Sequence, residues 1–399
     1  MAAPQLRFKE FDGEWNNFEL GTLGYFINGL TYAPENIVEK GLLVLRSSNV
    51  QNGELAFEDN VFVDLNVDQE KLTQKNDILI CVRNGSKSLI GKNALIKDLP
   101  CSATHGAFMT VFRSGLGEFV YQLLQTKRYY EYIYADLGAT INSINGNNLK
   151  KYKFYLPEKK EQTKIASFLS NVDEKISQLT QKHELLSQYK QGMMQKLFSQ
   201  QIRFKADDGS EFGAWEKVKL GSLLIKHDEK TEFNNQYPVL TSSRHGIYFQ
   251  KDYFAGQDVA SADTTGYNVV PYDYFTYRHM SDDLVFKFNI NTICPKGIVS
   301  TLYPVFTVKD EHLNKYFLQT ILNEGQEFKN FAIMQKQGGS RTYMYFSKLS
   351  ELVLTIPCLE EQTKIANFLS AIDQKIEVVA QQIEQAKQWK KGLLQQMFV

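Results

Sequence analysis

The sequence predicts an α+β fold in which two similar mixed α/β domains are joined by two long antiparallel coiled-coil helices, with approximate twofold pseudosymmetry. Three observations predict this fold: an internal repeat, two long apolar stripes of helical period, and strand-rich segments between the stripes. The chain has 399 residues. This exceeds the usual size of a single hydrophobic core, so more than one domain is expected.

The internal repeat divides the chain into two halves. LPEKKEQTKIASFLSNVDEKI, which begins at Leu156, returns as IPCLEEQTKIANFLSAIDQKI from Ile356, and the segments 156–199 and 356–399 share 20 of 44 positions. RFKEFDGEW near the start of the chain returns as RFKADDGSEFGAW before Leu220. Each half therefore begins and ends alike. The predicted divisions are a first variable domain (1–155), a central helix (156–200), a second variable domain (201–355) and a C-terminal helix (356–399).

Each repeated segment carries one apolar stripe with alternating spacings of four and three, which is typical of a coiled-coil seam. The first stripe is Ile165, Leu169, Val172, Ile176, Leu179, His183, Leu186, Lys190, Met193 and Leu197. The second is Ile365, Leu369, Ile372, Ile376, Val379, Ile383, Ala386, Lys390, Leu393 and Met397. Both helices follow a proline suited to a helix start. A lone helix cannot bury its own stripe, so the two helices are expected to pack on each other. Opposite directions are expected, because parallel packing would force both variable domains to one end.

The variable segments alternate short apolar runs with turn clusters. LLVLRSS, NVFVDL, DILICV and AFMTVF are β-rich, whereas QNGE and NGSK favour turns. Helices are predicted at 116–136 and 311–331, each before a Gly-rich turn, Gly138-Ala139-Thr140 or Gly338-Gly339-Ser340. A short strand, KFYLP or LVLTIP, then leads into each long helix.

Composition limits the class of protein. No stretch approaches the roughly 18 apolar residues of a membrane span, and the first residues lack the apolar core of a secretion signal, so a cytoplasmic location without membrane attachment is expected. The four cysteines lack metal or disulfide spacing and are interpreted as small core residues. Forty-five basic residues balance forty-five acidic ones, yet the segments 78–97 and 328–350 are basic without any acid.

Sequence motifs for catalysis are missing. The stretch from Gly85 to Asn93 resembles a phosphate-binding loop but has five intervening residues instead of four, and Asn93 stands where a Ser or Thr would hold magnesium. The six histidines lack metal-ligand spacing, and neither a methyl-transfer motif nor a GxSxG elbow is found. Catalysis by this chain alone is therefore not expected.

The doubled segment EEQTKIANFLS with DQKI, the ending KGLLQQMF, RFKEFDGEW and PVLTSSRHG resemble the specificity subunit of Type I restriction-modification systems. This resemblance covers the whole chain. It implies two target-recognition domains that alternate with two helical regions packed antiparallel.

The resemblance further implies a non-catalytic, sequence-specific DNA-binding subunit that reads a bipartite double-stranded target. It would scaffold two modification (methyltransferase) subunits and the restriction (endonuclease/translocase) subunits. S-adenosylmethionine, ATP and Mg²⁺ would belong to these partners, and no cofactor is expected in this chain.

Candidate DNA contacts are forked donors and amides near loop tips, because Arg pairs bidentately with guanine and Asn or Gln with adenine. In the first domain they are Arg46, Ser47, Ser48, Arg83, Asn84, Lys87 and Thr104. In the second they are Thr241, Ser242, Ser243, Arg244, His245, Arg278, His279 and Arg341. The neighbouring Tyr343 and Tyr345 are interpreted either as core aromatics or as groove contacts.

Identical polar residues near the two helix starts are predicted to dock a partner or to anchor the domains to the helices. They are Glu161, Gln162 and Lys164, with their counterparts Glu361, Gln362 and Lys364. Helix capping is an equal alternative, because Glu near a helix start also favours the helix dipole.

Two other functions stay open at this point. One is a DNA methyltransferase or nuclease with an unrecognised active site, which would require the purified chain to bind S-adenosylmethionine or cleave DNA. The other is a coiled-coil scaffold without affinity for DNA.

Overall fold

The computed structural model describes residues 3–137, 142–256, 260–336 and 339–399. The chain forms two compact units, one from Met1–His183 with Val379–Val399 and the other from Glu184–Val378. The predicted turn at 138–140, and Gly338 of its counterpart, lie outside the described residues. Across the described ranges, no helix is both long and apolar enough to cross a bilayer. The domain boundaries drawn from the sequence stay a prediction.

Elements are numbered in chain order. The strands of the first unit are β1 (Asn16–Glu19), β2 (Tyr25–Asn28), β3 (Ile37–Val38), β4 (Leu42–Leu45), β5 (Val50–Gln51), β6 (Glu54–Leu55), β7 (Phe62–Val63), β8 (Ile78–Cys81), β9 (Asn93–Leu95), β10 (Ala103–His105), β11 (Met109–Arg113) and β12 (Lys153–Leu156). Its helices are α1 (Gly117–Leu123), α2 (Lys127–Asp136), α3 (Gly146–Lys150) and the first part of α4 (Lys159–Phe198). Two four-stranded sheets have the orders β10-β4-β7-β3 and β2-β11-β8-β9, and β4 pairs with β10 in parallel.

The second unit has the same kind of architecture. Its strands are β13 (Glu216–Lys219), β14 (Leu224–His227), β15 (Leu240–Ser243), β16 (Gly246–Phe249), β17 (Asn268–Pro271), β18 (Phe275–Thr276), β19 (Met280–Ser281), β20 (Asn289–Ile290), β21 (Lys296–Val299), β22 (Val305–Val308), β23 (Thr342–Tyr343) and β24 (Val353–Ile356). Its helices are the last part of α4, α5 (Gln250–Tyr253), α6 (Lys315–Glu324), α7 (Gln326–Met334), α8 (Phe346–Leu349) and the first part of α9 (Leu359–Met397). One four-stranded sheet has the order β14-β22-β18-β20.

The two long helices run in opposite directions, as predicted. The first unit contains the start of α4 and the end of α9, whereas the second unit contains the end of α4 and the start of α9. Parallel helices would place the two starts in one unit. Most stripe positions are buried, although Met194 is buried in place of the predicted Met193.

Each unit has its own core, and the ends of the long helices complete it. In the first unit Leu393, Met397 and Phe398 join the cluster around Phe112 and Tyr129. In the second, Met194 and Leu197 join the cluster around Phe275, Phe306 and Phe317. Burial of these side chains stabilises each unit by about 1.5–3 kcal/mol per large apolar residue, so each helix end is tied to its unit.

In each unit, the strand that follows the repeated RFK segment pairs with the strand that precedes the long helix. β1 pairs with β12 from Asn16 opposite Leu156, and β13 pairs with β24 from Glu216 opposite Ile356. These two-stranded sheets lie directly before the long helices, so each long helix starts from a fixed position at the base of its variable domain.

Both predicted variable-domain helices are in fact pairs of helices. Thr126 separates α1 from α2, because its hydroxyl donates to Leu123 O at 2.7 Å and accepts from Tyr129 N. Gly325 separates α6 from α7 in an extended conformation, and a Cβ there would lie 2.6 Å from Ile321 O. A side chain at this turn would therefore clash with backbone.

The interpretation of the cysteines was wrong for two of the four. Cys81 and Cys294 are buried, as expected, but Cys101 and Cys358 are exposed. Cys101 follows a proline in a loop, and Cys358 lies directly before α9. Neither position is in a strand or helix that could carry it into a core.

Candidate nucleic-acid interface

Two predicted donor loops of the first unit lie side by side. One follows the end of β4 and the other follows the end of β8. The Asn84 side-chain amide donates to Ser47 Oγ at 3.0 Å and joins them. Asn84 also receives the backbone N–H of Ser86 at 3.0 Å. The structure therefore brings Ser47 and Asn84 together. The Asn84 amide nitrogen is engaged by Ser47 Oγ, and the Asn84 amide oxygen is engaged by the Ser86 backbone.

The two arginines of these loops are held in different ways. Arg46 forms an ion pair with Asp59, with Nη2 2.8 Å from Oδ2, and its loop is fixed because Asn49 Oδ1 accepts the Arg46 backbone N–H. The exposed Arg83 guanidinium lies over the ring of Phe108, 5.7 Å from its centroid. No ion pair of Arg83 occurs within the described ranges. Its donors therefore face solvent above an aromatic ring that is itself 55% exposed.

The other candidates of the first unit differ in exposure. Lys87 is exposed at the start of a short 3-10 turn. Ser48 is half-buried, and its Oγ has no hydrogen-bond partner among the residues that the structure describes. Thr104 is fully buried on β10 and donates to Lys71 O at 2.9 Å. The sequence-based assignment of Thr104 as a DNA contact does not fit this position, because β10 packs the side chain into the unit.

The basic segment 78–97 is only partly a surface feature. Arg83, Lys87 and Lys97 are exposed. Lys92 instead points inward, donates to Val50 O at 2.7 Å, and has its pKa lowered by burial. The exposed positive charge of this segment therefore comes from the loop between β8 and β9, with Arg83 and Lys87, and from Lys97 after β9.

In the second unit, a tight hairpin presents Arg244 and His245. β15 and β16 pair from Ser243 opposite Gly246, so these two residues form the tip. Ser243 Oγ accepts the backbone N–H of His245 at 3.1 Å, and the left-handed Gly246 (φ 130°) closes the turn. Two-residue loops of this kind fix the direction of the tip.

Two further segments carry predicted arginines. Arg278 is exposed after β18 and makes no hydrogen bond or ion pair within the residues that the structure describes. Arg341 lies just before β23, which pairs with β19. Arg341 binds Asp282 (Nε to Oδ1, 2.9 Å) and Arg244 binds Asp283 (Nη2 to Oδ1, 2.7 Å). The hairpin tip and the start of β23 are therefore tied to one turn.

Three candidates of the second unit are not free surface groups. Ser242 is buried and accepts from Asn289 Nδ2 at 2.8 Å. The hydroxyl of Thr241 is buried and makes no hydrogen bond within the described ranges. His279 is also buried, and its Nδ1 contacts Leu302 O. Direct base contacts by Ser242 and His279 do not fit these positions, because hairpin and sheet packing covers both side chains.

Tyr343 and Tyr345 are exposed aromatics rather than core residues. They are 42% and 51% exposed, and their rings stack at 5.8 Å with 11° between planes. The buried His279 ring stacks on Tyr345 at 4.9 Å. His279 therefore supports an exposed aromatic surface beside Arg341.

The polar residues repeated at the helix starts are internal anchors. Glu161 and Glu361 are fully buried, and each accepts two hydrogen bonds from an arginine, Arg7 or Arg203. This burial is incompatible with partner docking by either glutamate. The anchoring alternative describes them better, because each arginine lies in the first residues of its variable domain.

The neighbouring glutamines are buried as well. Gln162 Nε2 donates to Pro157 O at 2.8 Å. Gln362 Nε2 donates to Pro357 O at 2.9 Å, and its Oε1 accepts the backbone N–H of Asn314 at 2.9 Å. The predicted docking role is therefore corrected for both glutamines as well, since they hold the helix start and its preceding loop.

Lys164 is exposed and Lys364 is half-buried, with 26% of its side chain exposed, so these two lysines are the least buried members of the repeated set. Lys164 forms an ion pair with Glu10, and Lys364 forms one with Asp207. The hydrogen bond from each lysine holds the pKa of its partner carboxyl below the ordinary value. These two lysines remain accessible to a partner.

Sequence reasoning missed the acids that hold the arginines. Asp59, Asp282 and Asp283 lie 13, 59 and 39 residues from their partners. No periodic or local signal links positions at such separations. One sequence feature could have indicated these acidic partners. It is the adjacent pair Asp282-Asp283, which lies in a turn between strands.

The structure also bears on metal binding. Over the described part of the chain, no group of three or more His, Cys, Asp or Glu residues is arranged to hold a metal ion.

The fold and the two unlike donor surfaces define a class of protein with paired recognition domains on helical spacers. The model of the family "Type I restriction modification DNA specificity domain" matches residues 12–188 and 213–388. The chain therefore belongs to this family and carries two such domains. The family predicted from the repeated segments is confirmed.

Individual relatives agree with this assignment. The chain is 27% identical to the putative type I restriction enzyme MjaX specificity subunit of Methanocaldococcus jannaschii, over 96% of this chain and 93% of that protein. It is 28% identical to the EcoKI specificity subunit of Escherichia coli, over 45% of this chain and 41% of that protein. The fold resembles the S subunit of a Type-I restriction-modification system from M. genitalium, with a TM-score of 0.62 and 17% identity over 100% of this chain and 99% of that one.

Proposed function

We propose that the chain reads a bipartite double-stranded DNA target, with one half-site for each variable domain, and carries the partner subunits of a Type I restriction-modification enzyme to that target. The observation that carries this proposal is the difference between corresponding loops of the two similar variable domains. The segment LRSSNV of the first domain corresponds to LTSSRH of the second. Two similar domains that present different hydrogen-bond donors suit two unlike half-sites.

The chemistry of the exposed donors supports base recognition. A guanidinium can donate two parallel hydrogen bonds to guanine O6 and N7 in the major groove. Arg83, Arg244, Arg278 and Arg341 are exposed at loops or strand ends. Lys87 and Lys97 can add phosphate contacts, which set the register without reading sequence. A neutral net charge is compatible with this division, because the partner subunits can supply further phosphate contacts.

The partners in this proposal are two modification (methyltransferase) subunits together with the restriction (endonuclease/translocase) subunits. The repeat supports two copies of one partner, because each long helix presents the same lysine near its start, the exposed Lys164 or the half-buried Lys364. S-adenosylmethionine, ATP and Mg²⁺ belong to those subunits in this proposal. The chain itself is non-catalytic and acts in the cytoplasm.

A domain exchange tests the bipartite proposal. Residues 201–355 are replaced by the equivalent domain of a relative, and the methylated motif is read from genomic DNA of cells that carry the chimera and the modification subunits. One half-site should change and the other should stay. The matched control replaces residues 1–155 and should change the opposite half. A change in both halves would contradict reading by separate domains.

A second measurement tests the non-catalytic role. The purified full chain should neither transfer methyl groups from S-adenosylmethionine nor cleave DNA, whereas the same chain mixed with modification subunits should methylate. Methyl transfer by the chain alone would instead indicate an active site in this polypeptide.

A further inference from the structure

Two neighbouring aspartates in the second unit each hold an arginine from a different part of the chain. Asp283 Oδ1 accepts from Arg244 Nη2 at 2.7 Å, and Asp282 Oδ1 accepts from Arg341 Nε at 2.9 Å. The arginines come from the hairpin tip and from the start of β23. One turn therefore fixes the directions of two exposed guanidinium groups.

The turn that contains Asp283 also has hydrogen bonds of its own, in addition to the contacts with the arginines. Asp283 Oδ1 also accepts from Ser281 Oγ at 2.9 Å and from the backbone N–H of Val285 at 3.2 Å. Leu284 has a φ of 65°, a conformation that a leucine adopts only when the surrounding structure holds it. The carboxylate is thus a fixed acceptor rather than a freely rotating side chain.

These contacts leave donors available on both arginines. A guanidinium has five N–H groups, and Asp282 takes only the Nε–H of Arg341. Both terminal nitrogens of Arg341 stay unengaged within the described ranges. Asp283 likewise occupies one terminal nitrogen of Arg244. A held guanidinium with free N–H groups is the arrangement that base recognition requires, because ordering the fork in advance reduces the entropy lost on binding.

We infer that Asp282 and Asp283 are positioning residues that set the base preference of the second domain by orienting Arg341 and Arg244. This inference rests on the proposed function and names the residues behind its specificity. The aspartates do not strengthen binding in general, because a carboxylate on a DNA-facing surface repels phosphates. Their effect is on discrimination between sequences.

The test uses the full chain in complex with modification subunits and the DNA motif that this complex methylates. Dissociation constants are measured at one salt concentration for that motif and for versions with one base pair changed in the second half-site. Asp282→Asn and Asp283→Asn should reduce the discrimination at one base pair by about tenfold, which is the order expected for losing one bidentate contact. Binding to unrelated DNA should become tighter, since a negative charge is lost.

Asp228→Asn is the matched control. It removes the same charge from an exposed pair with Lys226 on the same unit, so it should tighten binding to all DNA without changing base preference. Arg341→Lys keeps the charge but lacks the fork, and should reproduce the loss caused by Asp282→Asn. Melting temperatures of all variants should stay near the wild type, because exposed ion pairs contribute little to stability.

Discrimination by Asp282→Asn and Asp283→Asn equal to that of Asp228→Asn would overturn the inference while leaving the proposed function intact. If the wild-type complex showed no base preference in the second half-site, the proposed function would fail and the inference with it. Should one variant not fold, the other decides, since each aspartate holds its own arginine.

Discussion

Arg7 donates two hydrogen bonds to Glu161, from Nε to Oε1 at 2.8 Å and from Nη2 to Oε2 at 2.7 Å, although 154 positions separate them. In the second unit Arg203 binds Glu361 in the same way, at 3.1 and 2.6 Å. Each arginine also donates to a glycine carbonyl, Gly13 O or Gly213 O. The repeated motif therefore ties the first residues of each variable domain to the start of the following long helix.

Arg7→Ala and Arg203→Ala should each lower the free energy of unfolding by about 3 kcal/mol, because each leaves a buried carboxylate without its partner. Urea unfolding of the full chain, followed by circular dichroism, measures this loss. Lys205→Ala removes an exposed pair with Glu211 and should change stability by less than about 0.5 kcal/mol. Equal effects of Arg203→Ala and Lys205→Ala would contradict the anchoring role.

The two repeated tryptophans should respond differently to replacement by phenylalanine. Trp215 Nε1 donates to Glu361 Oε2 at 3.2 Å, whereas Trp15 Nε1 is buried and has no acceptor in the described part of the chain. Trp215→Phe therefore removes a hydrogen bond to a charged group, while Trp15→Phe removes an unsatisfied donor. The first should cost about 1–2 kcal/mol more in unfolding free energy than the second. A larger loss for Trp15→Phe would show that ring packing dominates at both sites.

Charge reversal at Lys164 and Lys364 should separate partner binding from stability. Lys164→Glu and Lys364→Glu are predicted to weaken binding of the modification subunit without lowering the melting temperature, because their pairs with Glu10 and Asp207 are exposed. Pull-down of the modification subunit and thermal unfolding give the two measurements. A loss of both together would favour a structural role for the lysines.

The pKa of Asp283 is lowered to about 2, chiefly by the hydrogen bond from Arg244 and further by Ser281. A carboxyl with a lowered pKa stabilises the fold above its ordinary value of 3.8, and this contribution is lost as the pH falls through about 2. Asp283 therefore stays charged at neutral pH. Arg244→Ala should raise the midpoint toward 3.8, measured by carboxyl carbon NMR titration. An unchanged midpoint would show that Arg244 is not its main partner.

Arg83→Ala tests base reading by the first unit. If Arg83 pairs bidentately with guanine, the substitution should cost about 1–3 kcal/mol and relax the preference at one base pair of one half-site. Lys87→Ala should also affect that half-site alone. Binding to a panel of DNA sequences, repeated at several salt concentrations, measures both effects. A uniform loss over all sequences would instead indicate a phosphate contact.

The sequence by itself determined the repeat, the two long helices, their stripes and the family. These features depend on local periodicity and on identical segments 200 positions apart, which are visible in a linear chain. The pairing of the two helices also followed, because an apolar stripe on a long helix requires a partner surface.

Only the tertiary structure decided which polar residues face the solvent. Thr104, Ser242 and His279 are buried, and their hydrogen-bond partners Lys71, Asn289 and Leu302 lie 33, 47 and 23 positions away. The same holds for the arginines, whose acidic partners are brought close only when separate loops meet. Ion pairs and burial depend on distances in three dimensions, which neither residue type nor sequence period fixes, so the identity of the binding groups was decided by packing.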